Sequence, residues 1–252
     1  MSIITDIGKT VRDLADGSFL KSFTSAVILA GGCGTRMGGD TTKQWISVCG
    51  VPAVIRSILV FESSRYINEI IVCAKKEELA AYADIAETYG LTKLKCVVEG
   101  GATRQESALK GFKKISDNAD LVAIHDAARC LVTEEMIEKV VRAARRDGGA
   151  IAACKATDTV KITDPHGSIL STPERSRVWQ AQTPQIFSVE QYRVAAYVAI
   201  RDGFTVTDDA SLMENAGFNV TAVDCGRENV KLTEPVDLLI AEAIIKNRAS
   251  QQ

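Results

Sequence analysis

The sequence predicts an α/β fold in which a mostly parallel, Rossmann-like sheet is flanked by helices and carries a protruding β-arm. Apolar runs of strand length alternate with longer segments of helical periodicity. Most of these runs are continuous in Val, Ile, Leu and Ala, which is typical of strands covered by helices on both faces. The alternation favours a parallel sheet, and such sheets bind ligands beyond the carboxyl ends of their strands.

The same patterns place the elements in chain order. Each candidate strand is a short apolar run such as "IIVCA" or "LVAIH", and each candidate helix has apolar residues three or four positions apart. The candidate strands are 25–30, 68–74, 94–99, 120–125, 149–155 and 219–224. The candidate helices are 51–64, 76–89, 103–115, 133–146, 189–201, 209–216 and 234–248. For the last helix we expect Thr233 as the N-cap and Pro235 in the first turn.

Two segments stand apart from this alternation. We expect residues 1–24 to form an N-terminal helical extension with a short amphipathic helix over 3–15, for which the plainest interpretation is a packing appendage. Its apolar residues at helical spacing are Ile4, Ile7, Val11 and Leu14. The remaining main domain spans 25–248 and includes an arm at about 156–178, where Thr/Val/Ile alternation surrounds the turn "DPHG". A lone hairpin is only marginally stable, so a second subunit is a candidate support.

Composition excludes several classes of protein. The 252 residues carry a formal net charge of −2, so no general binding of nucleic acid or membrane is expected. No apolar run reaches the ~20 residues of a membrane span, and charges within 6–16 disfavour a signal peptide. The seven cysteines are widely spaced and lack a C-x-x-C pair. A disulfide framework or structural metal is therefore disfavoured, and a reducing cytoplasm fits best.

A glycine-rich loop, "GGCGTRMGGDTTK", follows the first strand. The dinucleotide fingerprint G-x-G-x-x-G fails at Met37, and the Walker pattern fails at Asp40, where lysine is required. Glycines nevertheless let backbone N–H groups converge on an anion. Arg36 adds a planar donor fork and Lys43 a mobile positive charge. The loop therefore predicts a phosphate site, and a flexible solvated turn is the weaker interpretation.

Three further motifs carry polar residues at the expected ligand edge. In "VEGGATRQESALKG", Arg104 and Ser107 lie one turn apart at a helix start, although such junctions are also common in ordinary folds. In "LVAIHDAARC", Asp126 ends an apolar strand, where it either holds Mg²⁺ or pairs with Arg129. A Ser-His-Asp triad is disfavoured, since adjacent residues of a strand point to opposite faces. Lys231 precedes the last helix and either reaches a phosphate or is solvated.

These motifs, with "WQAQTPQIF" at 179–187, closely resemble the 2-C-methyl-D-erythritol 4-phosphate cytidylyltransferase family. The similarity runs from about 25 to 245. It implies a nucleotidyltransferase fold, CTP and a polyol phosphate as substrates, Mg²⁺ or another divalent cation as cofactor, and a homodimer whose arms exchange between subunits.

The resemblance also implies roles for particular residues. The catalytic cations around the triphosphate are Arg36, Lys43 and Lys231, and Asp126 is the metal ligand. The nucleotide-binding residues are Ala30, Gly31, Gly32, Gly34, Thr35, Gly100, Arg104, Ser107 and Ala127. The acceptor-binding residues are Arg129, Thr157, Asp158, Thr159, Thr183 and Asp209. The chain departs from the family at Thr157, where some relatives carry arginine or lysine, and Lys155 or Lys161 are possible substitutes.

Two rivals stay open at this point. One is ribitol-5-phosphate cytidylyltransferase, which shares the glycine loop and the "HDA-R" and "QTPQ" patterns. The other is a non-catalytic nucleotide-binding module. Such a module would not need a complete set of four charged residues, which are Arg36, Lys43, Asp126 and Lys231. The failed fingerprint disfavours a dehydrogenase.

Overall fold

The computed structural model describes residues 22–32 and 43–251, which contain eleven strands and seven α-helices. The strands are β1 Thr24–Leu29, β2 Ser47–Val48, β3 Val51–Pro52, β4 Glu69–Ala74, β5 Leu94–Glu99, β6 Leu121–Asp126, β7 Gly149–Lys155, β8 Ile162–Thr163, β9 Ile169–Ser171, β10 Trp179–Ser188 and β11 Thr221–Asp224. The helices are α1 Ala53–Ser63, α2 Ala81–Thr88, α3 Arg104–Phe112, α4 Glu134–Asp147, α5 Val189–Asp202, α6 Asp209–Asn215 and α7 Pro235–Ala249.

Seven strands form one central sheet in the order β11-β7-β10-β6-β1-β4-β5. β10 runs antiparallel to both of its neighbours, and the other neighbouring pairs are parallel. The predicted mostly parallel α/β sheet is therefore confirmed. The six predicted strands are present within two residues at each end.

Helices cover both faces of this sheet. Along β1, Ala26 and Ile28 face one apolar core, whereas Val27 faces the other. The first core is closed by α1, α2 and α4, and the second by α3, α5 and α6. Burial on both faces explains why these strands read as continuous apolar runs.

β10 was not predicted as a strand. Its sequence "WQAQTPQIFS" contains Pro184, which has no N–H to donate to a neighbouring strand. The pairing of β10 with β7 shifts register between Ala181 and Gln185, so a bulge accommodates the proline there. The apolar end of β10 then contributes Ile186 and Phe187 to the two cores.

The helix boundaries follow local chemistry. Thr103 and Thr133 cap α3 and α4 by accepting a hydrogen bond from the N–H three residues ahead. The predicted helix 76–89 divides into a 3₁₀ turn at Lys76–Glu78 and α2. The predicted N-cap at Thr233 is wrong by one residue: α7 is capped by Glu234, whose N–H donates to the Asp237 carboxylate.

The arm is a two-stranded hairpin, as predicted. Among the described strands, β8 and β9 pair only with each other, and Asp164 in the turn accepts hydrogen bonds from the N–H groups of His166 and Ser168. Three large apolar residues of the hairpin are 49–67% exposed: Ile162, Ile169 and Leu170. The hairpin therefore presents an apolar surface that the described part of its own chain leaves open to solvent.

The predicted helix over 3–15 lies outside the described residues. In the part of the chain that the structure describes, no helix is long and apolar enough to cross a membrane.

Candidate active site

A cavity of about 220 Å³ opens beyond the carboxyl ends of β1 and β6. β1 and β6 pair in register from Thr24 with Leu121 to Leu29 with Asp126, so both strands end at the same edge. The cavity is lined by backbone from the glycine loop and from the turn before α3, together with a small set of charged side chains. This is the place where an α/β sheet binds its ligand.

Asp126 is the central charge of the cavity. The residue is 8% exposed, and each of its carboxylate oxygens has a cationic partner. Oδ1 lies 3.0 Å from Arg104 Nε, and Oδ2 lies 2.6 Å from Lys231 Nζ. Burial acts to raise the pKa of Asp126, but the two cations outweigh it and hold that pKa well below its usual range. Asp126 is therefore ionised throughout the physiological pH range.

Arg104 joins this carboxylate to a second one. Its Nη1 lies 2.6 Å from Asp209 Oδ2, and Asp209 also accepts a hydrogen bond from the Tyr192 hydroxyl at 2.8 Å. Burial acts to lower the pKa of Arg104, but Asp209 and Asp126 raise it. Its buried Nη2 has no hydrogen-bond partner among the described residues. An unpaired buried donor is costly, so this nitrogen is suited to an incoming acceptor.

The turn before α3 is held by Ser107. Its hydroxyl accepts a hydrogen bond from the Gly101 N–H and donates one to the Thr103 carbonyl, both at 2.9 Å. A Cβ on Gly101 would lie 2.2 Å from the Glu106 Cβ, and one on Gly100 would lie 3.0 Å from Ser107 Oγ. The glycines here are required by the close approach of the chain's own helix.

Thr183 and His125 support the strand end behind Asp126. The Asp126 N–H donates to Thr183 Oγ1 at 3.0 Å, and the same oxygen lies 3.0 Å from His125 Nδ1. His125 is fully buried, and burial lowers its pKa to about 3. His125 is not among the residues that line the cavity.

Arg129 does not pair with the Asp126 side chain, so that alternative is wrong. Its guanidinium instead donates to the carbonyls of Asn229 at 2.7 Å and Ala181 at 3.2 Å. These contacts fasten the loop before Lys231 to β10. Arg129 therefore helps to fix where Lys231 enters the cavity.

The structure brings together many of the predicted site residues. Those lining the cavity are Gly31, Gly32, Arg104, Ser107, Asp126 and Lys231. Others lie directly behind it, each adjacent in sequence or hydrogen-bonded to a lining residue: Ala30, Gly100, Ala127, Arg129, Thr183 and Asp209. The predicted residues Gly34, Thr35 and Arg36 lie outside the described part of the chain. Lys43 begins the 3₁₀ turn Lys43–Trp45.

The arm residues Thr157, Asp158 and Thr159 are exposed and do not line this cavity. Sequence reasoning missed Arg175, whose guanidinium donates to the Thr157 carbonyl at 3.2 Å. It also missed Gln44, which lines the cavity and donates to the Ala30 carbonyl. The only sign of this role in the sequence is that Gln44 is a polar residue directly after Lys43.

Comparison with known proteins identifies the family. The family model described as 2-C-methyl-D-erythritol 4-phosphate cytidylyltransferase matches residues 24–247. A protein of that name from Alkaliphilus oremlandii is 39% identical over 228 residues, which cover 90% of this chain and 97% of the relative. One from Synechococcus sp. is 39% identical over 225 residues, which cover 89% of this chain and 98% of the relative.

Solved structures agree with the sequence relatives. The 4-diphosphocytidyl-2C-methyl-D-erythritol synthase of Anaerococcus prevotii superposes with a TM-score of 0.79 at 30% identity, covering 89% of this chain and 99% of that one. The Francisella tularensis 2-C-methyl-D-erythritol 4-phosphate cytidylyltransferase superposes with a TM-score of 0.74 at 27% identity, covering 88% of this chain and 99% of that one. The chain therefore belongs to the 2-C-methyl-D-erythritol 4-phosphate cytidylyltransferase family.

Proposed function

We propose that this protein transfers CMP from CTP to 2-C-methyl-D-erythritol 4-phosphate, giving 4-diphosphocytidyl-2-C-methyl-D-erythritol and pyrophosphate. Family membership over almost the whole chain makes it a nucleotidyltransferase. The observation that carries the proposal is the Asp126–Arg104–Lys231 cluster, which lines a cavity at the carboxyl ends of β1 and β6.

The two rival functions are not favoured. The matching family model and the relatives carry the methylerythritol phosphate activity in their names, rather than a ribitol phosphate activity. A non-catalytic module is disfavoured because the matching family model and the relatives are cytidylyltransferases over almost the whole chain.

The proposed reaction is one displacement at phosphorus. An oxygen of the acceptor's 4-phosphate attacks the α-phosphorus of CTP in line, the α–β bridging bond breaks, and pyrophosphate leaves with the electron pair. The acceptor phosphate is already anionic near pH 7, so no protein nucleophile is needed. What is needed is cancellation of charge on the approaching anions and on the leaving group.

Lys231 is the described cation best suited to that task. Its side chain is 35% exposed and its ammonium rests on Asp126, so it can exchange the carboxylate for a phosphate oxygen without a new backbone conformation. Arg36 and Lys43 are proposed to act on the same triphosphate. Arg104 and Ser107, with the backbone at Gly31 and Gly32, are proposed to hold the nucleoside.

The donor set at Asp126 fits a magnesium ion that arrives with CTP. The described residues contain no group of three or more His, Cys, Asp or Glu that could hold a metal ion. Mg²⁺ commonly needs only one or two carboxylates, with phosphate and water supplying the remaining ligands. A carboxylate has about four lone-pair sites, and only two of those at Asp126 are used by its cations. The ion would neutralise phosphate charge there.

A homodimer is part of the proposal. The arm leaves Ile162, Ile169 and Leu170 open to solvent, and Thr157 to Thr159 do not line the cavity of their own chain. A two-fold pair in which each arm reaches the other subunit's acceptor site would cover the apolar face and give Thr157 and its neighbours a substrate. Arg175 beside Thr157 supplies a cation to that segment.

The reducing cytoplasm is the proposed compartment. The described cysteines are all free, and burial raises the pKa of Cys130 and Cys225 to about 11, which keeps those thiols protonated.

The substrate test is a product assay with Mg²⁺ and matched pairs of substrates. CTP should be turned over far faster than ATP, because a site that reads a base by main-chain hydrogen bonds leaves polar groups unpaired with the wrong base. Methylerythritol phosphate should outcompete ribitol 5-phosphate at equal concentration. Equal use of ATP and CTP, or preference for ribitol phosphate, would overturn the proposed substrates.

The dimer test mixes two inactive variants. An arm variant, Thr159→Ala with Arg175→Ala, should regain activity when combined with Lys43→Ala, because half of the sites in a hybrid dimer carry neither defect. Sedimentation should show a dimer at micromolar concentration. No recovery despite proven subunit exchange would mean that the arm serves only its own chain.

A further inference from the structure

Asp209 is a buried carboxylate that lies behind the cavity. It is 2% exposed and is not among the residues that line the cavity. Among the described residues it reaches the cavity lining through Arg104, whose Nη1 lies 2.6 Å from Asp209 Oδ2. Arg104 does line the cavity, and its Nη2 has no hydrogen-bond partner in the described part of the chain. Whatever fixes Asp209 therefore also fixes the orientation of this unpaired donor.

Tyr192 of α5 fixes the other carboxylate oxygen of Asp209. Its hydroxyl donates to Asp209 Oδ1 at 2.8 Å. The ring is fully buried, with its centroid 4.8 Å from that of Phe112 in an edge contact and 5.7 Å from that of Phe187 in a stacked one. Burial raises the pKa of Tyr192 well above its usual range, and the charge of Asp209 raises it further. The hydroxyl therefore keeps its proton and is held in one place as a donor.

Gln185 of β10 holds the main chain of Asp209. Its Oε1 accepts hydrogen bonds from the N–H groups of Asp209 at 2.9 Å and Ala210 at 3.0 Å. Its Nε2 donates to Asp208 Oδ2 at 2.9 Å, and Gln185 itself is 1% exposed. Asp209 is thus fixed through its backbone and through both carboxylate oxygens. It cannot turn away from Arg104 without breaking several buried hydrogen bonds.

The two carboxylates that hold Arg104 differ in what a ligand can do to them. Asp126 lines the cavity and also pairs with Lys231 at 2.6 Å, so an incoming phosphate or cation competes for both partners. Asp209 lies behind the cavity, and Arg104 is its sole cationic partner among the described residues. Asp209 therefore keeps its charge for Arg104 when the cavity is filled. A long side chain that is already oriented loses less conformational entropy when a ligand binds.

We propose that Tyr192 and Asp209 are positioning residues that hold Arg104 in the orientation that binds the nucleotide, so that their hydrogen bond sets the affinity for CTP rather than the rate of transfer. This role rests on the proposed function, which assigns Arg104 to the nucleoside. Neither residue touches the substrate. Tyr192 acts through Asp209, and Asp209 acts through Arg104.

The test compares two substitutions of tyrosine by phenylalanine. Tyr192→Phe removes the hydroxyl and keeps the packed ring. Tyr82→Phe is the matched control, because Tyr82 is also fully buried but its hydroxyl has no hydrogen-bond partner among the described residues. Calorimetric titration with CTP and Mg²⁺, without the acceptor, measures Kd, and steady-state kinetics give KM and kcat.

Tyr192→Phe should raise both Kd and KM for CTP by about fivefold or more, as expected when a hydrogen bond to a charged group is lost. Its kcat should stay within about twofold, and Tyr82→Phe should change none of the three. Unchanged CTP binding by Tyr192→Phe, or equal weakening by Tyr82→Phe, would overturn this role and leave the proposed function standing. Failure of the unsubstituted protein to bind CTP would overturn both.

A third variant tests whether Tyr192 acts through Asp209. Asp209→Asn removes the charge that holds Arg104 and should weaken CTP binding at least as much as Tyr192→Phe does. Adding Tyr192→Phe to Asp209→Asn should weaken binding by less than about twofold more, because residues that act through one contact are not additive. A full further loss in the double variant would contradict the proposed series. If Asp209→Asn does not fold, Tyr192→Phe decides alone.

Discussion

Two buried carboxylates at opposite ends of the same sheet have different surroundings. Glu69 begins β4 and is 6% exposed, whereas Asp126 ends β6 and is 8% exposed. Glu69 accepts hydrogen bonds of 2.6 Å from the Ser25 hydroxyl and from both the hydroxyl and N–H of Ser116, and Lys95 lies 3.1 Å away. Asp126 has two cationic partners, Arg104 and Lys231.

The two carboxylates differ in the type of their hydrogen-bonding partners and in whether those partners line the cavity. Glu69 and its partners do not line the cavity, so its neutral donors hold the start of the sheet together. The partners of Asp126 both line the cavity, and each is a cation that an incoming phosphate can attract. A buried charge alone therefore does not mark a functional site. A functional site is marked instead by cationic partners that line an open cavity and can move from the carboxylate to a ligand.

The largest expected effect is on the cation of the proposed active site. Lys231→Ala should lower kcat by about 10²-fold or more, because it removes positive charge where the leaving group develops negative charge. Lys95→Ala is the matched control, since the two lysine side chains are similarly exposed (35% and 39%) and each pairs with a buried carboxylate. Its steady-state rate should stay within about twofold. A Lys231→Ala protein of normal kcat would contradict the assignment.

The next effect is on stability, at the other carboxylate. Glu69→Gln leaves one acceptor oxygen for the Ser25 hydroxyl and the Ser116 N–H, and it places an NH₂ group where Oε2 accepts from the Ser116 hydroxyl and pairs with Lys95. The free energy of unfolding should fall by about 1–3 kcal/mol, as for other buried hydrogen-bonding groups left unpaired. Urea unfolding measures the loss, and the rate should be almost unchanged. A large loss of kcat in a stably folded Glu69→Gln protein would remove the contrast between the two carboxylates.

The smallest effect is a pH dependence at Glu69. Burial acts to raise its pKa, but hydrogen bonds from Ser116 and Ser25 and the nearby Lys95 outweigh burial and lower it. The folded pKa is thus below the unfolded value of about 4.3. The contribution of Glu69 to stability is then full above that pH and is lost as pH falls through the folded pKa.

The measurement is the difference in urea midpoint between the unsubstituted protein and Glu69→Gln at pH 7 and at pH 3. This difference should shrink at pH 3. A difference that grows in acid would reverse the sign of the proposed pKa shift.

The sequence predicts the functional carboxylate at one end of the sheet but not the structural role of the carboxylate at the other end. The sequence points to both Asp126 and Lys231, because a carboxylate after an apolar strand and a lysine before a helix are local patterns. Their 2.6 Å contact joins residues 105 positions apart, and no local pattern predicts it. The role of Glu69 was missed, since a glutamate at the start of an apolar run reads as a solvated charge.

The same limit applies to the rest of the fold. Apolar runs, most of them continuous, predict six strands of the central sheet, whereas β10 interrupts its run with Gln and Pro184 and is not predicted. The bond from Arg104 to Asp209 depends on how α6 packs beside α3, which is set by tertiary contacts. The hairpin of the arm was predicted because its turn chemistry is local.

The proposed role of the Asp126 cluster is cytidylyl transfer. The most direct test measures formation of 4-diphosphocytidyl-2-C-methyl-D-erythritol by Asp126→Asn and Glu69→Gln side by side, at saturating CTP, Mg²⁺ and methylerythritol phosphate. Asp126→Asn should lose about 10²-fold or more in rate, because Arg104 and Lys231 lose the charge that positions them, whereas Glu69→Gln should stay within about twofold. Equal rates for the two variants would contradict the claim.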